Sequence, residues 1–88
     1  MLMPILSIFL GIVIRMFHKD HNPPHFHVQH GEYWAVIEVK TGKVLGGRLP
    51  PRVLRLVQEW RKQYQARIEK AWIEVQDMKA PSKIPPLE

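Results

Sequence analysis

The sequence predicts an α+β domain: a four-stranded antiparallel β-meander with one long C-terminal helix packed on one face and a Pro-rich tail. Three observations predict it. Runs of β-branched and aromatic residues, separated by Gly, Pro and Asn, fill residues 8–47. A single apolar stripe of helical period occupies residues 53–75. The 88 residues suffice for one core, so 1–78 is read as one domain and 79–88 as an extended C-terminal tail.

Residues 1–14, MLMPILSIFLGIVI, are nearly all apolar. They lack the basic start and small-residue cleavage site of a signal peptide. They also fall short of the ~20 residues a bilayer span needs. They are expected to be a leader followed by a buried strand, in a soluble, cytoplasmic protein. Strand one is read over 8–17, and Lys19 to Pro24 as a loop, because proline has no N–H for a ladder. Strand two runs from His25 to His30, and Gly31-Glu32, with Gly first, suits a type II′ hairpin turn. Strand three runs from Tyr33 to Lys40, Thr41-Gly42 is a second tight turn, and strand four is Val44 to Gly47. Pro50-Pro51 opens the helix. Its stripe is Val53, Val57, Trp60, Tyr64, Ile68, Ala71 and Val75; it should end near Asp77, with Trp60 and Trp72 in the core. Pro81, Pro85 and Pro86 make the tail a loose arm.

Strand parity carries the functional reading. Directly paired residues share a face, and side chains alternate along each strand. A Gly31-Glu32 turn sets His30 opposite Tyr33, Val28 opposite Ala35 and Phe26 opposite Ile37. Between them Gln29 meets Trp34, His27 meets Val36 and His25 meets Glu38. Phe26, Val28, Ala35, Ile37 and Val39 thus make an apolar face for the helix to cover. A one-residue slip of strand one would exchange its faces. Pairing Met16 with Phe26 and Ile14 with Val28 keeps the core face apolar; Arg15 then lies opposite His27 and Phe17 opposite His25. Arg15, His25, His27 and Glu38 converge on the helix-free face. With Phe17, Asp20, His21 and Trp34 they form the expected binding surface.

Composition narrows the chemistry. Thirteen Lys and Arg against eight Asp and Glu give a net charge of +5, which favours acidic partners, protein or nucleic acid. With no cysteine, disulfides and thiolate metal sites are excluded. Four readings of DHNPPHFHVQH, residues 20–30, stay open. As a metal site, His25 and His27 on one side of a strand, joined by His21, would hold zinc, nickel or manganese. Asp20, Glu38 or His18 would add ligands, and Arg15 would oppose the cation. As an acid–base site, Glu38 would orient His25, with His27 and Arg15 the other catalytic candidates. A cross-strand ion pair on a solvated sheet accounts for the same residues. As a nucleic-acid surface, Trp34, Phe17 and His27 would stack bases while Arg15, Lys40 and Lys43 met phosphates. As a partner surface, Trp34 and Val36 on an open face, beside an extendable edge strand, need the fewest assumptions; an oligomer is compatible with it. Asp20 and Asn22 are also ordinary turn formers.

The blocks MPILSIFLGIVIRMF from Met3, DHNPPHFHV, and YWAVIEVKTGKVLGGRLPPRVLRLVQEW resemble the bacterial family of domain of unknown function 4160. The likeness runs from Met3 to about Trp72, and DHNPPHFHV is its most specific element. It implies a small bacterial cytoplasmic protein that pairs with a second small protein encoded nearby, in a toxin–antitoxin-like module. It marks Asp20, His21, Pro24, His25 and His27 without assigning them roles; Trp34 and the leading Met1-Leu2 depart from it. The expected function is protein interaction within such a pair, through the His-rich sheet face and without a membrane. The alternative is a metal-dependent or metal-free RNA phosphodiesterase or a nucleic-acid-binding domain.

Overall fold

Leu10 and Gly11 adopt φ values of 51° and 76°. Two successive left-handed residues make a type I′ turn, which matches the twist of a tight hairpin. The computed structural model, which describes residues 4–87, therefore folds the apolar N-terminal run back on itself. β1 (Ile5–Phe9) pairs with β2 (Ile12–Arg15), so the expected leader and single strand over 8–17 are two strands instead. Met1, Leu2 and Met3 lie outside the described residues. The sequence concealed this turn because leucine rarely occupies the left-handed region.

β3 (His25–His30), β4 (Tyr33–Glu38) and β5 (Val44–Arg48) complete an antiparallel sheet in chain order, five strands rather than four. The β3–β4 register is the one parity required: His25 opposite Glu38, Phe26 opposite Ile37, His27 opposite Val36 and Val28 opposite Ala35. Across β2 and β3, Ile14 faces Val28 and Arg15 faces His27, as the apolar-face argument demanded. β4 stops at Glu38, two residues before the expected end, because the Gly42 N–H donates to the Glu38 carbonyl at 2.9 Å and turns the chain.

The expected single helix is two: α1 (Pro51–Gln63) and α2 (Gln65–Gln76), separated by Tyr64 at φ −119° and ψ 28°. No Gly or Pro marks the break. It falls where the tail crosses: Trp60 Nε1 donates to the Pro85 carbonyl at 3.0 Å and the Tyr64 hydroxyl to that of Pro86 at 3.4 Å. The apolar stripe runs unbroken through it, with Val53, Val57, Trp60, Ile68, Ala71, Trp72 and Val75 all buried. These side chains close over Ile14, Phe26, Val28, Ala35 and Ile37. The Trp60 ring lies 5.7 Å from Phe26 and 6.0 Å from Phe9. Each such fully buried side chain contributes roughly 1.5–3 kcal/mol.

The tail is extended, as expected, but it is docked rather than loose. The Ile84 N–H donates to the Leu6 carbonyl of edge strand β1 at 2.9 Å, and the Ile84 side chain is buried. Both helices and the tail thus serve one side of the sheet. Among the described residues no helix is long and apolar enough to cross a membrane.

Candidate functional site

The loop between β2 and β3 is pinned to the end of α2. The Lys19 N–H donates to the Val75 carbonyl at 3.3 Å, and Gln76 Nε2 to the Asp20 carbonyl at 3.0 Å. His18, a candidate additional metal ligand, is buried away from the other imidazoles' carboxylate, with Nε2 3.2 Å from the Lys79 carbonyl. From this anchorage the Asp20-His21-Asn22-Pro23-Pro24 segment, with its cis Asn22–Pro23 peptide, folds back over the first residues of β3.

The fold-back brings Asp20 onto two histidines. Asp20 Oδ2 lies 2.8 Å from His25 Nε2 and 3.6 Å from His27 Nε2. The other nitrogen of His25, Nδ1, lies 2.7 Å from the Pro23 carbonyl. A carbonyl only accepts, so Nδ1 carries the proton and donates it. His25 is buried, walled by the Trp72 ring at 5.2 Å and by the His27 ring at 5.4 Å. His27 is half-buried, and the Phe17 ring lies 4.3 Å from its centroid. A separation of 3.6 Å is too long for a hydrogen bond; His27 Nε2 is buried and has no partner.

Electrostatics follow from that geometry. Burial pushes the Asp20 carboxyl up. The His21 backbone N–H, 2.9 Å from Oδ1, and the His25 ring more than offset it, so Asp20 sits below its ordinary range. Burial pushes His27 below its ordinary value, and the Asp20 charge opposes this only in part. His27 is therefore a neutral imidazole at pH 7.

The expected quartet of Arg15, His25, His27 and Glu38 does not assemble. Glu38 lies opposite His25 in register, but its carboxylate accepts from Thr41 Oγ1 at 2.8 Å. Asp20 takes the place expected for Glu38 as the carboxylate that orients His25. His25 leaves the open face for the interior. His21 does not join the other two imidazoles: it is 84% exposed, its ring is 5.4 Å from His25, and its Nδ1 is 3.6 Å from Asp20 Oδ1. Arg15 turns to Gln29, donating from Nη1 to Oε1 at 3.3 Å. Trp34 stands on the helix-free face, 56% exposed. It borders a shallow depression of about 220 Å³ shared with Val13, Arg15, His27 and Gln29.

The sequence offered Asp20 as an additional metal ligand, a surface residue and a turn former, but not as the carboxylate on His25, and it placed Trp72 in the core without setting it against His25. A signal was present for the first: an Asp five residues before a His, across two prolines, in a segment too short to run away from the strand it enters. The Trp72 contact depends on how α2 crosses the sheet end and has no local signature.

A family model described as Domain of unknown function (DUF4160) matches residues 11–73. No curated protein and no solved structure matches the chain.

Proposed function

We propose, from the premise that the chain belongs to the DUF4160 domain family, that it is a protein-interaction domain working through the helix-free face of its sheet. The partner is an acidic small protein, the counterpart in a two-protein, toxin–antitoxin-like module. One observation carries this reading: α1, α2 and the tail close one side of the sheet, while the reverse side leaves Val13, Phe17, Trp34 and Val36 partly or largely in solvent around Arg15. Trp and Arg are the residue types that anchor protein interfaces. The net charge of +5 supplies the attraction for an acidic surface.

The inward aim of the histidines favours binding over phosphodiester cleavage. A general acid or base must reach the proton it moves. His25 is buried, and His27 Nε2 points to Asp20 rather than to solvent. The test is co-expression with the small protein that the family resemblance expects to be encoded nearby, followed by calorimetric titration of the purified pair. A 1:1 complex is expected, and Trp34→Ser and Arg15→Glu should each weaken it by about tenfold or more, the scale of an anchor residue. No complex, or one indifferent to both changes, overturns the proposal. So does RNA that co-purifies with the wild type and is lost with Trp34→Ser, since that gives the face to nucleic acid.

A further inference from the structure

The Asp20–His25–His27 cluster contains a contradiction in hydrogen bonding. His25 Nδ1–H is committed to the Pro23 carbonyl. In a neutral ring, Nε2 then carries a lone pair, and it faces the lone pairs of a carboxylate oxygen 2.8 Å away. A few ångströms off, the buried Nε2 of His27 has no partner at all. Two imidazole nitrogens and a carboxylate oxygen, all within 4.8 Å of one another, converge on the same small volume, and His27 Nε2 adds its electron pair there when the ring proton sits on Nδ1. Something positive belongs at their centre.

We propose that this volume is a binding site for one divalent transition-metal ion, zinc in particular, held by His25 Nε2, His27 Nε2 and a carboxylate oxygen of Asp20. The inference rests on this cluster alone and stands or falls separately from the role of the open sheet face. Zinc bonds of 2.0–2.1 Å to N and O set ligand atoms ~3.3 Å apart in tetrahedral geometry. The two separations from the Asp20 oxygen, 2.8 and 3.6 Å, bracket that value, and the two imidazole nitrogens lie within 4.8 Å of each other. Imidazole and carboxylate together suit zinc and nickel more than calcium or magnesium, which take all-oxygen shells.

The surroundings are those of a metal centre rather than a solvated ion pair. The Pro23 carbonyl accepts from His25 Nδ1, fixing the tautomer that leaves Nε2 free, as outer-shell acceptors do for ligating histidines. Trp72 and Phe17 wall two sides with apolar rings. Gln76 and Val75 hold the Asp20 loop to α2, so the carboxylate is delivered by a fixed backbone. The Arg15 guanidinium donates to the neutral Gln29 amide, so its charge persists as a repulsion the three ligands must outweigh. A fourth ligand would be water or the exposed His21 imidazole, whose Nδ1 lies 3.6 Å from Asp20 Oδ1.

The alternative occupant is a proton: His25 as an imidazolium, donating to both oxygens. The two differ in stoichiometric metal, in the response to Asp20→Asn, and in the spectrum of a substituted ion. The experiment uses the full chain, purified without an affinity tag and stripped with chelator. Zn²⁺ titration should show one equivalent bound, with a rise in Tm of several degrees. Co²⁺ should give the intense visible bands of a four-coordinate site. Asp20→Asn and His27→Gln, near-isosteric changes that keep the loop's volume, should each weaken Zn²⁺ by about a hundredfold or more. His18→Gln, at the other buried histidine, should leave the affinity unchanged. Binding that His18→Gln removes, or that Asp20→Asn and His27→Gln leave intact, overturns the assignment. So does no stoichiometric Zn²⁺ or Co²⁺ binding, which makes the cluster an imidazolium–carboxylate pair.

Discussion

Arg61 is a buried cation with no carboxylate at ion-pair distance among the described residues. Its guanidinium donates instead to the carbonyls of Val39 at 3.1 Å and Lys40 at 3.2 Å, and to the side-chain oxygens of Gln58 at 2.9 Å and Gln65 at 3.0 Å. Those carbonyls belong to the turn that leaves β4, so Arg61 fastens the β4–β5 connection to α1. Arg61→Met keeps most of the stem's apolar contact but strands buried acceptors. It should cost about 2–4 kcal/mol in urea unfolding, the range for losing charge-assisted bonds to groups that stay buried. Arg61→Lys should recover only part, since one ammonium cannot span the fork of acceptors. A loss under 1 kcal/mol for Arg61→Met would mean the turn is held by something else. The histidine cluster shows what a residue-level reading can and cannot reach. His25 and His27 share a side because alternation along a strand is local and obligatory. Asp20 replaces Glu38 because the loop's return over β3 is set by its anchorage to α2, a contact between distant parts of the chain that no periodicity encodes.

The elements were legible wherever pattern and turn chemistry agreed. Gly31 at φ 59°, followed by a residue without positive φ, is the type II′ turn its sequence suggested, and the whole β3–β4 register follows from it. Leu10-Gly11 broke that agreement. Its first residue holds φ 51° against the preference of a leucine side chain, and that side chain is 66% exposed. Asparagine tolerates the left-handed region far better. Leu10→Asn should therefore stabilise the β1–β2 hairpin by roughly 0.5–1 kcal/mol and raise Tm by about 2–8 °C. A thermal melt checks it, and a fall in Tm would mean that Leu10 contributes packing its exposure does not reveal. The break at Tyr64 was illegible for a different reason. The stripe from Val53 to Val75 is continuous, and the interruption coincides with tail contacts to Trp60 and Tyr64, made by residues more than twenty positions onward.

At the scale of the molecule, the excess positive charge should push stability and partner binding in opposite directions. Among the described residues Lys79 with Asp77 is the one Lys or Arg ion pair, so nearly all thirteen basic side chains are free of a carboxylate partner. The Cα radius of gyration is 11.7 Å. At 0.01 M ionic strength the screening length is about 30 Å, so cations on every side of the domain repel one another. At 0.3 M it falls to roughly 6 Å, and only near neighbours still interact. Self-repulsion of a net charge destabilises the compact state. Moving from 0.01 to 0.3 M NaCl should therefore raise Tm by a few degrees, chloride being a salt with little preferential exclusion of its own. The same screening removes long-range attraction between a basic face and an acidic partner, so complex formation on the open sheet face should weaken, chiefly through a slower association rate. Melting curves and association rates over one salt series check both signs together. If Tm and association rate rise together, the charge excess does not steer the partner, and the open face binds through its apolar residues alone.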